Sequence, residues 1–111
     1  MATIKEDYCS KEIYRLLIEK GFDGEVHTTF DEEGYTQPSV SLQMAMKWLR
    51  EVYGLFISIG NDDLDYNWQI FDVRNRTKDL DPTCLTDNYA GYRKYELACT
   101  LAIKYCLNNL I

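Results

Sequence analysis

An amphipathic helical stretch halted by a glycine and followed by two short strand-like runs occurs twice in this chain, from Ser10 to Gln37 and again from Ser41 to Val73. The halting glycines, Gly21 and Gly54, hold equivalent places, and a third helical stretch closes the sequence. A helix with one apolar stripe and a hairpin with one apolar face must each bury that surface against something, which restricts a chain of this pattern to helices laid on a sheet. The expectation is an α+β fold of order αββαββα, with an internal αββ quasi-repeat. Its two hairpins form one mostly antiparallel four-stranded sheet packed against the helices.

The local signals support each element. Ser10 is placed to cap the first helix, which gathers Ile13, Tyr14, Leu16, Leu17 and Ile18 on one side and Lys11, Glu12, Arg15 and Glu19 on the other. Gly21 can take the left-handed conformation that ends a helix, with Phe22 folding back on Leu17 as in a Schellman motif. Residues Glu25 to Asp31 alternate, with Val26, Thr28 and Phe30 facing inward and His27 and Thr29 outward. After a turn over Asp31 to Gly34, a short return strand from Tyr35 to Gln37 ends at Pro38. The second helix begins at Ser39 or Ser41, carries Leu42, Met44, Ala45, Trp48, Leu49 and Val52 on one face, and stops at Gly54. Leu55, Ile57 and Ile59 form the inward row of the next strand, Gly60 to Asp65 turns the chain, and Tyr66 to Val73 returns. The adjacent Ile70 and Phe71 break alternation there, which implies cover on both faces or a bulge. Arg74 to Gly91 has no period and reads as a long loop. The third helix, from Tyr95 to Asn109, has the widest apolar arc, including Ala98, Leu101, Ala102 and Tyr105, and is expected to be central.

At 111 residues the chain (1–111) fits a single domain with a core of its own. Its net charge of −6 works against binding a phosphate backbone, so no direct nucleic-acid contact is expected. No apolar run approaches the roughly 18 residues of a membrane span, and Met1 to Asp7 lacks the features of a secretory signal. A soluble, cytoplasmic protein with no membrane partner is the expectation. Cys9, Cys84, Cys99 and Cys106 read as reduced, buried thiols.

The candidates for chemistry are few. His27 has no companion at metal-ligand or catalytic spacing and reads as a solvated strand residue. Asn61, Asp63, Asp65 and Asp72 match four ligand spacings of a calcium loop, but Tyr66 stands where that loop needs glycine. Cys99 and Cys106 have no basic neighbour to activate them and read as core. No phosphate-cradling glycine loop is present. The sequence therefore assigns no catalytic, cofactor-binding or metal residue, and a non-enzyme is expected. What remains is a set of aromatic residues expected to be exposed, Tyr66, Trp68, Tyr89, Tyr92 and Tyr95, of the types that anchor protein interfaces.

Four strings, Glu6 to Ser10, Glu19 to Asp23, Leu42 to Val52 and Ala102 to Ile111, resemble a group of small uncharacterised proteins of Bacteroides-type gut bacteria and their phages or mobile elements. Lys94 stands where those proteins tend to carry a cap-like Thr or Ser. The resemblance implies an accessory role and carries no activity with it. The leading expectation is a non-enzymatic accessory factor that binds an unidentified protein partner or self-associates. An acidic decoy for a host nucleic-acid-binding protein is the alternative, and a small enzyme without a recognisable motif the third.

Overall fold

Serine hydroxyls start the first two helices and glycines end them. In the computed structural model, which describes residues 7–30, 33–62, 64–74 and 83–111, the Ile13 amide donates to Ser10 Oγ at 3.3 Å at the start of α1 (Lys11–Glu19). The Met44 amide donates to Ser41 Oγ at 3.1 Å at the start of α2 (Leu42–Tyr53). α1 closes as a Schellman motif. The Phe22 amide donates to the Leu17 carbonyl at 3.0 Å and the Gly21 amide to the Ile18 carbonyl at 3.1 Å, with Phe22 and Leu17 both buried. Gly54, which ends α2, is glycine for two reasons: its φ is +67°, and a Cβ there would collide with the Arg74 side chain.

The buried stripes are narrower than the apolar arcs. Ile13 and Leu17 of α1 and Leu42, Ala45, Trp48 and Leu49 of α2 enter the core, whereas Ile18 and Val52, expected inward, are exposed. Ile18 sits at the rim of its arc, whereas Val52 shares the angular position of the buried residues of α2 and is exposed in the last turn of that helix.

The α+β class is as expected, but the two hairpins do not merge. β1 (His27–Phe30) and β2 (Thr36–Ser39) form a two-stranded antiparallel sheet of their own. β3 (Leu55–Asp62) and β4 (Asp65–Asp72) pair without interruption from Leu55↔Asp72 to Asp62↔Asp65. β5 (Thr83–Cys84) and β6 (Tyr89–Tyr92) both pair with the other edge of β4. The expected single sheet of two hairpins is thus corrected to two separate sheets. β1 and β2 are four residues long and lack an apolar face that could extend the larger sheet. The facing of β1 is also the reverse of that expected. His27 and Thr29 are half-buried, while Val26, Thr28 and Phe30 are exposed, Phe30 at 71%. The Tyr8 ring covers His27 edge-on at a centroid distance of 5.6 Å. Pro38 lies within β2, opposite Thr28, rather than ending it.

The segment read as a loop from Arg74 to Gly91 holds β5 and most of β6, a second correction; residues 75–82, with Pro82, lie outside the described residues. Neither strand has the alternation that announces a strand, and β4 supplies the pairing that holds them. Within β4, Trp68 and Ile70 point into the core and Phe71 is half-buried opposite Phe56, so alternation persists through Ile70 and Phe71.

α3 (Tyr95–Tyr105) begins after Lys94, which supplies no side-chain cap, and continues into one wider π-helical turn, Cys106–Leu110. It packs on β3, β4 and β6 and against α2, burying Ala98, Cys99, Ala102 and Ile103. The three helices share one interior. Trp48 sits between the Phe22 and Tyr53 rings at centroid distances of 5.4 and 5.1 Å. Polar ties close the rim: Tyr53 donates its hydroxyl to the Lys20 carbonyl at 3.0 Å, Lys20 Nζ donates to the Ile111 carbonyl at 3.0 Å, and Lys104 meets Glu12 at 3.2 Å. Among the described residues, no helix is long and apolar enough to cross a membrane.

Candidate functional site

The pairing of β6 with β4 contains a shift. Trp68 stands opposite Tyr89 and Tyr66 opposite Tyr92, so two residues of β6, Ala90 and Gly91, face Asn67 alone. Residues three apart on a regular strand point to opposite faces. The extra residue, with Gly91 at φ +95°, undoes that opposition, and both Tyr89 and Tyr92 border the same cleft.

The second wall comes from the end of α3. Leu101, Lys104, Tyr105 and Asn108 follow helical spacing, and the π turn brings Asn109 beside them, its amide donating to the Tyr105 carbonyl at 3.2 Å. Between the two walls lies an open cleft of about 360 Å³. Trp68 lies against both walls, its ring centroid 4.6 Å from Tyr89 and 5.7 Å from Tyr105, with Tyr89 and Tyr105 6.2 Å apart. Trp68 is only 4% exposed. Its indole N–H is buried without an acceptor among the described residues.

The five aromatic residues singled out in the sequence therefore divide. Trp68, Tyr89 and Tyr92 border the cleft, with Trp68 buried rather than exposed. Tyr66 and Tyr95 form a separate edge-on pair at 5.9 Å, and the Gln43 amide donates to the Tyr95 hydroxyl at 3.2 Å. That amide lowers the pKa of the Tyr95 phenol, while burial and the neighbouring Cys99 and Glu96 outweigh it and leave the phenol raised. Tyr105, Lys104, Asn108 and Asn109 were missed as site residues. The helical spacing of Leu101, Tyr105 and Asn108 was available as a signal, but it reads equally well as core.

Chemically the cleft is aromatic, with amides and one ammonium at its border. Lys104 is held by Glu12 from α1. Elsewhere, among the described residues, no cluster of three His, Cys, Asp or Glu is placed to hold a metal ion. Of the calcium-like spacing, Asp63 lies outside the described residues. Asp72 accepts from the Arg74 amide at 3.0 Å and from its guanidinium at 3.5 Å, bonds that hold its carboxyl below the usual range. His27 Nε2 lies 3.6 Å from Glu25.

The four thiols are free. Burial pushes Cys9 and Cys106 up to about 12 and raises Cys99. Cys84 corrects the expectation of four buried thiols: it is exposed on β5 and donates to the Thr86 carbonyl at 3.0 Å. A second groove, of about 290 Å³, runs between α1 and β2 beside Tyr14, Ile18 and Pro38. In comparisons with known proteins, no family model, curated protein or solved structure matches the chain.

Proposed function

We propose that this chain is a non-enzymatic, protein-binding accessory factor, of the kind carried by phages and mobile elements, and that it engages its partner through the cleft between β6 and the end of α3. The convergence of Trp68, Tyr89, Tyr92 and Tyr105 on one concave surface supports this reading. Tyrosine and tryptophan supply large contact area at small entropic cost and dominate the energetics of interfaces. Asn108, Asn109 and Lys104 at the border can hydrogen-bond a partner's backbone or side chains, as the polar rim of an interface does. Among the described residues, those bordering the cleft are aromatic, amide and aliphatic apart from Lys104, a composition suited to recognition.

The test is site-specific photo-crosslinking from position 92 in lysate of the source cells, at low and high salt, against a Tyr89→Ser/Tyr105→Ser variant checked for an intact thermal transition. The reading expects one discrete partner, captured at both salt concentrations and lost in the variant. Capture of a basic nucleic-acid-binding protein, abolished by salt and indifferent to the variant, would replace this reading with the acidic decoy.

A further inference from the structure

Among the described residues, β3 is an edge strand with little of the usual protection of an edge. Among the described residues no strand pairs with its outer side, and its pairing with β4 is regular over all eight residues, with no bulge to twist the edge away. From Leu55 to Asn61 it carries no charged side chain and no proline. Native sheets normally blunt an exposed edge with charge, proline, a bulge or brevity, because its free N–H and C=O groups are a template for another strand. The opposite edge of the same sheet has two of these protections: β5 has two residues, and β6 has four with a register shift.

We infer that β3 pairs antiparallel with β3 of a second copy of this chain, making a two-fold dimer with a sheet continuous across both copies. A strand is the one occupant that satisfies a row of alternating donors and acceptors. The chain carries a net charge of −6, so two copies repel over most of their surfaces. The uncharged run from Leu55 to Asn61 is a line along which they can meet without opposing like charges. Side-chain period restricts the register. Leu55 and Ile57 are buried and Phe56 is exposed, so only pairings that set odd-numbered residues against odd-numbered ones keep both copies' cores on one side of the sheet. Pairings centred on Ile57 or Ser58 meet this condition. The contact uses the same strand on both copies, and the edges left over are the short and bulged ones, so assembly closes at two. This surface is at the opposite edge of the sheet from β6, which walls the aromatic cleft.

Sedimentation of the full chain over a dilution series tests the inference, with Ser58→Lys and Phe56→Lys as edge-charging variants. The Phe56 side chain is exposed, so its replacement reports on pairing even if lysine at position 58 disturbs folding. The expected result is a mass that doubles with concentration for the native chain, stays at one chain for the variants, and is unchanged by Tyr105→Ser. Slower amide exchange along β3 at high concentration should accompany it. A native chain that stays monomeric throughout, or a dimer that survives both lysine variants, would overturn it; a dimer broken only by Tyr105→Ser would place self-association in the cleft instead.

Discussion

Tyr89 stands directly across from Trp68 on the neighbouring strand, and their rings lie 4.6 Å apart, the closest pairing in the aromatic group that borders the cleft. Tyr89 is 37% exposed and Trp68 only 4%, so the phenol acts as a cover over the indole. The bulge at Ala90 and Gly91 then returns the chain so that Tyr92 borders the same hollow. A short irregular strand with little propensity of its own thus places two tyrosines where a regular strand would place one.

Removing that cover should be measurable. Tyr89→Ala is expected to cost about 1 to 2 kcal/mol, combining lost area with the stacking increment of an aromatic pair. In a Trp48→Phe background, where Trp68 is the sole reporter, its emission should shift to the red. An unshifted spectrum would mean that the indole is covered by something else.

Trp48→Ala is expected to cost about 3 to 5 kcal/mol in urea denaturation, a large part of a small domain's stability. Trp48 is 6% exposed and in edge-on contact with both Phe22 and Tyr53, which join the ends of α1 and α2. A loss under about 1 kcal/mol would contradict the shared interior of these helices.

The two helix-ending glycines should respond differently. A Cβ at Gly21 meets nothing within 4 Å, so Gly21→Ala bears only the left-handed backbone, about 1 to 2 kcal/mol. Gly54→Ala adds a collision with Arg74. It should cost more, and Arg74→Ala should recover part of the difference in a double-mutant cycle. Equal costs for the two alanine variants would contradict this.

Alkaline pH should destabilise the fold through its buried thiols. Cys9 and Cys106 are pushed up to about 12 in the folded chain, while an unfolded thiol titrates near ~8.5. Below ~8.5 both states keep the proton and the contribution is fully present. Above that the unfolded chain releases protons that the folded chain retains, so stability falls as pH rises towards 12. The slope is about 1.4 kcal/mol per pH unit for each thiol. Urea titrations from neutral pH upward should show this fall in the native chain and a shallower one in a Cys9→Ala/Cys106→Ala variant. Identical slopes would contradict it.

What could be read from the sequence was what is decided locally. Ser10, Ser41, Gly21 and Gly54 mark helix ends because capping involves residues only a few positions apart. Leu55 and Ile57 share one face by period, and their apolar side chains turn that face inward. The reversed facing of β1 shows the limit of that signal. Alternation gives the period of a strand and not its sign, and here His27 faces inward against the ring of Tyr8, which lies far away in sequence. β5 and β6 were illegible because β4 induces them, and the separation of the two sheets is likewise a long-range outcome. The cleft was half legible. Tyr89, Tyr92 and Trp68 stood out as interface types while Tyr105 read as core, and the bulge that brings Tyr89 and Tyr92 together and the π turn that adds Asn109 leave no pattern in composition or spacing.

Ring-to-ring nuclear Overhauser contacts of Trp68 in the full chain test the central geometry directly. The account predicts cross-peaks from the indole to both Tyr89 on β6 and Tyr105 on α3, since all three rings lie within 6.2 Å of one another. An indole in contact with neither ring, or with only one of them, would show that strand and helix do not meet around Trp68 and that no such cleft is built.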